Sequence, residues 1–351
     1  MNQRNHIKEF LDTNYEPQVI QFLLEHIPQD TVSLRHNFLF NNLLELNNIR
    51  YDNPYGLVIS APLLNNFGNI NGNLIKIHNL LRPGGILVGR VETLDHRKQR
   101  IASSNNKFFY KVIIIYEFIF KRVPPKLFGF RYIFRKSGLM GHRILSKCEA
   151  LGRLRYSGFE ISGLKEAEKY LYFIAFKNSQ PLNEKPHDGI LLKIPKVGKG
   201  GHTIYCYKLR TMHAYANYLH DYILNNHEVD NEGKIMNDFR MTDWGKFLRK
   251  TWLDEIPQLL NIIKGELSFM GLRPLSREFL SLYPEEWRKE RMKIKPGFVP
   301  PYYADCPKTF DEIIESEKRY YEAWKKHPVR TDLICFLKVV WNFLSGRART
   351  G

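Results

Sequence analysis

Two adjacent carboxylates, Asp254 and Glu255, stand in the stretch KTWLDEIPQLLN, with Arg249 and Lys250 just ahead of them and Arg240 and Arg273 not far away on either side. An isolated acid pair at a helix start is ordinarily a solvated cap. So many cations this close in sequence change that reading. The planar fork of arginine suits bidentate phosphate recognition, and carboxylates can hold Mg²⁺ against phosphate oxygens. Together these are the groups of phosphoryl transfer, in which catalysis consists mostly of neutralising a phosphate and aligning it for in-line attack.

The elements that must position these groups follow from the flanking pattern. Thr242 is a fitting N-cap for a short helix whose apolar stripe is Trp244, Phe247 and Leu248. A second helix begins at Leu253 or Asp254, because Pro257 is tolerated only in a first turn, and it runs through Leu259, Leu260 and Ile263 to Gly265. The acid pair therefore lies at a helix N-terminus, where partial positive charge favours the ionised carboxylates and a phosphate nearby. Upstream, IPKVGKGGHTIYCYKLRTM reads as a strand, a basic glycine turn and a strand ending in Lys208 and Arg210. Alone, GKGG would be a plain hairpin turn. His213, His220 and His227 recur every seven residues, too far apart on a helix to share one metal, and read as a partly buried face.

The motifs YKLRTM, NDFRMTDWGKFLRKTWLDEIPQLLNIIKGELSFMGLRPLS and RMKIKPGFVPPY, with the ending TDLICFLKVVWNFLSG, closely resemble the bacterial sugar transferases, monotopic phosphoglycosyltransferases, over about residues 189–349. The resemblance implies transfer of a sugar 1-phosphate from a UDP-sugar to a polyprenyl phosphate through a covalent intermediate on Asp254. It implies that Asp254 and Glu255 are catalytic and bind Mg²⁺, and that Arg249 and Arg273 hold phosphate charge. Lys208, Arg210 and Arg240 are further phosphate-binding candidates, and Asp238, Pro257 and Pro274 line the site. Asp238 and Arg240 could equally form a structural salt bridge. KPGFVPPYYADCP could be a wall against nucleotide or lipid, or a rigid structural loop.

Two departures from the family pattern stand out. The place of its apolar re-entrant helix holds KYLYFIAFKNSQPLNEKPHDG, too polar and too short to dip into a membrane, and the usual Pro-Arg-Pro reads Leu272-Arg273-Pro274. Lipid access then falls to the apolar run near 108–120, to basic charge acting on anionic headgroups, or to the segment DLICFLKVVWNFL, which is either amphipathic and interfacial or a core helix.

In the first half, residues 1–50 read as helical. YGLVISAPLL then reads as a buried strand, GNLIKIHNLL as a helix, ILVGRVET as a second strand after RPGG, and LGRLRYSGFEI with KYLYFIAFK as a helix leading into a closing hairpin. This order is similar to the later half of a class I methyltransferase fold, but no glycine precedes Gly56 to cradle a dinucleotide-like cofactor. The expectation is therefore an α/β N-terminal domain, residues 1–177, with an incomplete methyltransferase-like parallel sheet and no cofactor. A linker at 178–188 leads to a mainly α, α+β phosphoglycosyltransferase-like domain at 189–351.

Composition adds outer bounds. The chain has 351 residues, with 53 Lys+Arg against 36 Asp+Glu, a formal charge of +17 that favours a polyanionic partner. No nucleic-acid module accompanies that charge, so an anionic membrane surface and phosphorylated substrates are the expected partners. The four cysteines are scattered, which suggests neither a disulfide framework nor a zinc site. The opening MNQRNHIKEFLDTNYEPQ lacks the apolar core of a signal peptide. The most apolar stretch, FFYKVIIIYEFIFKRVPP at 108–125, is broken by Lys111 and Glu117; it reads as a buried element, with an interfacial anchor as the alternative. The expected location is the cytoplasmic face of the inner membrane without a transmembrane helix, in an assembly compatible with a homo-oligomer. The rival functions are a non-catalytic scaffold for polysaccharide assembly and an S-adenosylmethionine-dependent methyltransferase.

Overall fold

The computed structural model describes residues 3–28, 37–49, 54–117, 143–186, 189–226 and 238–347. The chain divides into two compact units, residues 1–189 with 212–240, and residues 190–211 with 241–351.

The first unit begins with helices α1 (Gln3–Asn14) and α2 (Pro17–His26), followed by strands β1 (Asn37–Phe40) and β2 (Tyr55–Ser60). Leu57, Val58 and Ile59 are all buried, as a strand covered on both faces requires. Helix α3 (Ile70–Leu80), capped by the Asn69 side chain accepting from Gly72 N–H, returns the chain to β3 (Leu81–Val91). β1, β2 and β3 are parallel. After helices α4 (Lys107–Glu117) and α5 (Lys147–Tyr156), the hairpin of β4 (Phe159–Glu166) and β5 (Leu171–Lys177) closes the sheet antiparallel, in the order β1-β2-β3-β5-β4.

Alternation along the strands builds two cores. Leu57, Ile59, Val88, Tyr172 and Ile174 pack with Ile7, Leu11, Val19 and Leu23 of α1 and α2. Phe40, Val58, Leu87 and Phe173 join Leu74, Ile77, Leu151 and Leu154 of α3 and α5. At the carboxyl ends of the parallel strands, where such sheets place ligands, the Asn65 side chain donates to Glu92 O and Arg143 O and accepts from Glu92 N–H. The turn after β1 is Asn41-Asn42, and Asn42 caps the next helix.

The predicted parallel strands, intervening helix and closing hairpin are present, whereas β1 lies in a stretch read as helical. Four residues, Asn37–Phe40, are too few to impose a visible period on the sequence. A larger correction concerns the apolar run near 108–120. Its described part is α4, where Phe108, Phe109, Val112, Ile115 and Tyr116 are exposed, so it is not a buried element. Residues 118–125 of the run lie outside the described residues.

Residues 212–240, read in sequence as part of the second domain, are grouped with the first unit, where the described residues 212–226 and 238–240 lie. Ala216, Leu219 and Ile223 enter its core. Tyr215, in the left-handed region at φ 65°, sits so close to α5 that a Cβ at Gly152 would lie 2.5 Å from its carbonyl oxygen. The Tyr215 hydroxyl accepts from Asn71 Nδ2 at 2.8 Å and from Arg153 Nη1 at 3.0 Å, and Glu149 holds that guanidinium from the other side. His213 and His220 do not share one helix, since His213 precedes a turn and His220 begins the helix His220–Asn226; His227 lies outside the described residues.

The second unit starts with the hairpin of β6 (Leu191–Val197) and β7 (Thr203–Leu209), closed by GKGG with Gly200 and Gly201 at φ 69° and 77°. Helix α6 (Asp243–Lys250) follows, then a 3₁₀ turn (Leu253–Gln258), helix α7 (Leu259–Ile263), and the parallel pair β8 (Ser268–Met270) and β9 (Gly297–Val299). Helices α8 (Phe310–Lys326) and α9 (Pro328–Leu344) complete it. Its core is built from Met270, Leu272, Trp287, Val299, Ile314, Tyr321 and Val339. Leu272, which replaces the family's first proline, is thus a core residue.

Within that core Glu317 of α8 is fully buried and paired with Arg291, while Trp287 Nε1 donates to it at 3.4 Å. Burial pushes the Glu317 carboxyl up, and Arg291 pulls it back. Removing the cation should leave an unpaired charge: Arg291→Met is expected to lower stability by about 3–5 kcal/mol, and Lys289→Met, in an exposed pair, by no more than about 1 kcal/mol. Urea unfolding midpoints of the two variants check this.

Candidate active site

The site is assembled where β7 meets the 3₁₀ turn. Cys206 and Lys208 point to one face of β7, and register places Lys196 and Ile194 of β6 on that same face. Asn261 of α7, fully buried, fixes the turn against the strand: its Nδ2 donates to Tyr205 O at 2.8 Å and its Oδ1 accepts from Tyr207 N–H at 3.1 Å. A side chain thus does the work of a strand neighbour.

Ahead of the acids, Trp252 adopts φ 59°, a strained conformation for a bulky residue that costs about 1–3 kcal/mol. Its ring is held by Tyr303 and by Phe343 of α9, with centroids 4.5 and 4.1 Å away. This reversal ends α6 and starts the 3₁₀ turn with Asp254 and Glu255 in its first turn. The predicted helix start and the Thr242 cap, whose hydroxyl accepts from Gly245 N–H at 2.9 Å, are present. Phe247, assigned to an apolar stripe, is instead exposed.

Asp254 is only 2 % exposed, so its charge must be met within the protein. Lys208 Nζ meets it, 2.9 Å from Asp254 Oδ2 and 3.0 Å from Glu255 Oε1. The contact to Glu255 is a hydrogen bond, whereas the ammonium lies off the hydrogen-bonding direction of Asp254 Oδ2. No described residue gives that buried oxygen a hydrogen bond, so its partner is purely coulombic.

The pocket beside the acid pair is lined by Lys196, Cys206, Lys208, Glu255, Gln258 and Arg273, with Pro274, Tyr302 and Tyr303 forming further wall. Arg273 stands at the rim and donates from Nη1 to the Tyr302 hydroxyl at 2.7 Å, while Arg291 Nη2 holds its carbonyl at 2.8 Å. The Pro-Tyr-rich stretch therefore does supply pocket wall. Burial pushes the Cys206 thiol up to about 11, which keeps it protonated and unsuited as a nucleophile.

The remaining predicted residues are placed less uniformly. Arg249, at the end of α6, donates from Nε to Thr211 Oγ1 at 3.0 Å and does not line the pocket. Arg210 is buried just past β7, and its backbone N–H donates to Ile190 O at 2.7 Å. Pro257 lies inside the 3₁₀ turn. Arg240 and Asp238 belong to the first compact unit and form a bidentate pair, with contacts of 2.9 and 2.8 Å; of the two readings open in the sequence, the geometry favours the structural salt bridge. Lys196, Cys206, Gln258 and Thr211 escaped the sequence reading. Strand alternation from Lys208 through the hairpin register would have found Lys196.

A divalent cation can be tested against these donors. Among the described residues no cluster of three or more His, Cys, Asp or Glu could hold a metal ion. Two adjacent carboxylates, one with a buried oxygen lacking a hydrogen bond, nevertheless suit Mg²⁺, which is usually bound by one or two carboxylates together with substrate phosphates. The residues fit a substrate-borne ion rather than a resident one.

Residues 179–346 match the family described as "Bacterial sugar transferase", the family that the motifs resemble. Galactosyl transferase CpsE of Streptococcus agalactiae is 32% identical over 149 residues, 41% of this chain and 33% of that protein. Undecaprenyl-phosphate galactose phosphotransferase of Salmonella typhimurium is 36% identical over 134 residues, 37% of this chain and 27% of that protein. The chain spans about a third of the length of these curated relatives. Among solved structures, an S-adenosylmethionine-dependent methyltransferase from Listeria monocytogenes covers 38% of this chain and 67% of its own, at 16% identity and a TM-score of 0.25, too low to assign a fold.

The coulombic pairing of Asp254 is directly testable. Lys208→Met is expected to cost about 3 kcal/mol in urea unfolding by stranding the buried acid, and Lys208→Met combined with Asp254→Asn should recover most of it.

Proposed function

We propose that the chain transfers a sugar 1-phosphate from a UDP-sugar to a polyprenyl phosphate, initiating assembly of a surface glycan of the exopolysaccharide, capsule or O-antigen kind. The observation that carries this reading is the buried Asp254 carboxylate, oriented by Lys208 and left with an oxygen that accepts no hydrogen bond, beside a cation-lined pocket. The match over residues 179–346 and relatives named as undecaprenyl-phosphate sugar transferases support it.

In the first step an Asp254 Oδ attacks the sugar-linked phosphorus. A new P–O bond forms as the bond to the bridging oxygen breaks, and UMP leaves with that electron pair. In the second, an oxygen of polyprenyl phosphate attacks the same phosphorus and the Asp254 carboxylate departs. Lys208 holds the carboxylate in place before attack, and its charge turns to the phosphate as the carboxylate's charge is consumed. Glu255 keeps Lys208 anchored through both steps. Arg273 at the rim supplies further positive charge to phosphate oxygens. Mg²⁺, held by Asp254 and Glu255, would supply charge neutralisation on phosphate oxygens.

A route for the lipid is available without a spanning helix. Among the described residues no helix is long and apolar enough to cross a membrane. Helix α9 buries Cys335 and Val339 but exposes Leu333, Leu337, Trp341 and Leu344, so one of its faces belongs to the core and the other is free to act as the interfacial segment. Ile256, Leu259, Leu260 and Ile263 of the 3₁₀ turn and α7 are exposed as well, and Phe343 packs on Trp252 just before the acids. This apolar surface, in a chain of charge +17, would rest on an anionic membrane with the site near the headgroups. Such seating corresponds to a peripheral protein on the cytoplasmic face.

Asp254→Asn is expected to lower UMP release from UDP-sugars, with Mg²⁺ and membranes present, by at least about a thousandfold while the fold is retained. Unchanged turnover would remove the nucleophile. Leu337→Glu with Trp341→Glu should weaken binding to anionic lipid vesicles about tenfold or more in a flotation assay, and undiminished binding would remove α9 from the membrane contact.

A further inference from the structure

Lys196 is, like Arg273, a cation of this pocket with no carboxylate at ion-pair distance, and Glu255 and Glu278 act on it only at longer range. It lines the wall together with Lys208, Arg273 and Glu255 and is half-buried. Yet among the described residues its ammonium has neither a hydrogen bond nor an ion pair, because Lys208 takes both carboxylates. Burial first, and then the like charge of Arg273, push its pKa below the ordinary lysine value. Such an arrangement opposes holding an ammonium there unless an anion completes it.

The hairpin fixes where that anion lies. Lys208 pairs with Leu192 and Lys196 with Ile204, so the two lysines leave the same face about 13 Å apart at the backbone, at about 3.3 Å per residue over four residues. Their long stems bring both heads to one pocket from opposite ends. Lys208 is at the end where Asp254 would be phosphorylated. Lys196 is at the other end, where the rest of a diphosphate would extend.

We infer that Lys196 binds the phosphate of the nucleoside diphosphate donor that is not transferred, the one that departs in the nucleoside monophosphate. This inference rests on the reaction proposed above. When the bridging P–O bond breaks, its electron pair goes to the departing phosphate, so Lys196 faces the oxygens on which negative charge grows. It touches the leaving group but takes no part in bond formation at the transferred phosphorus.

The test is the binding of UMP, with uridine as the control that lacks a phosphate, to the full-length chain by titration calorimetry. Lys196→Met is expected to weaken UMP binding about tenfold or more while uridine binding is unchanged, and Lys196→Arg to stay within about threefold of the wild type. Thermal melts of both variants matching the wild type show that the pocket is intact. Equal UMP affinity in Lys196→Met and wild type overturns the assignment, as does wild-type protein that binds no UMP. A raised KM for polyprenyl phosphate with unchanged UMP affinity also overturns it, placing Lys196 on the acceptor instead. If Lys196→Met weakens UMP binding but the wild type forms no phosphosugar adduct from UDP-sugars, the Lys196 site stands and the proposed reaction falls. If the adduct forms and UMP binding ignores residue 196, the reaction stands and the Lys196 site falls.

Discussion

A carboxylate almost wholly removed from water is tolerable only beside a fixed positive charge, and the second unit is arranged around that constraint at Asp254. Lys208 supplies the charge from β7, so the acid-bearing turn and the strand must be held in one register. Asn261 does this by bonding twice to one edge of β7, at Tyr205 O and Tyr207 N–H. Trp252 does it from the other direction, turning the chain sharply at a left-handed residue pinned by Tyr303 and Phe343. The strain at Trp252 and the burial of Asp254 are both unfavourable locally. They persist because packing of α9 and the hairpin leaves no better alternative.

The same logic extends to the pocket rim. Glu317, deep in the core, holds Arg291, and Arg291 in turn holds the carbonyl of Arg273, whose guanidinium rests on the Tyr302 hydroxyl. A core ion pair is often weak evidence for stability. Here it places a cation at the mouth of the pocket. Leu272 shows how this is done with a departure from the family's proline: the substituted side chain fills core, and the backbone course of Arg273 is set by a hydrogen bond rather than by a ring.

The first unit has a different physical character. Its sheet is covered on both faces, and the carboxyl ends of its parallel strands are occupied by the hydrogen bonds of Asn65. Between Thr211 and Met241 the chain leaves the second unit, and Ala216, Leu219 and Ile223 enter the first unit's core. Thr211 and Thr242, at the two ends of that excursion, are joined by hydrogen bonds within the second unit, and Thr211 also accepts from Arg249. The excursion is thus stitched closed at a point that also anchors Arg249.

The sequence by itself determined the local features: the Thr242 cap, the helical start beside the acids, the order strand-helix-strand-hairpin in the first half, and the cluster of acids and arginines. These depend on neighbours a few residues away, and capping, proline geometry and hydrophobic period act over that range. The single helix read beside the acids is instead a 3₁₀ helix followed by a short α-helix. Tertiary structure alone decided which cations serve which acids. Lys208, some forty-six residues from Asp254, became its counter-ion, whereas Arg240, much nearer in sequence, was paired with Asp238 in the other unit. It also left α4 exposed and gave α9 two faces, one for the core and one for its surroundings. Charge and hydrophobicity are written in the residues; which charge meets which, and which apolar face finds cover, depends on long-range packing that local sequence does not encode.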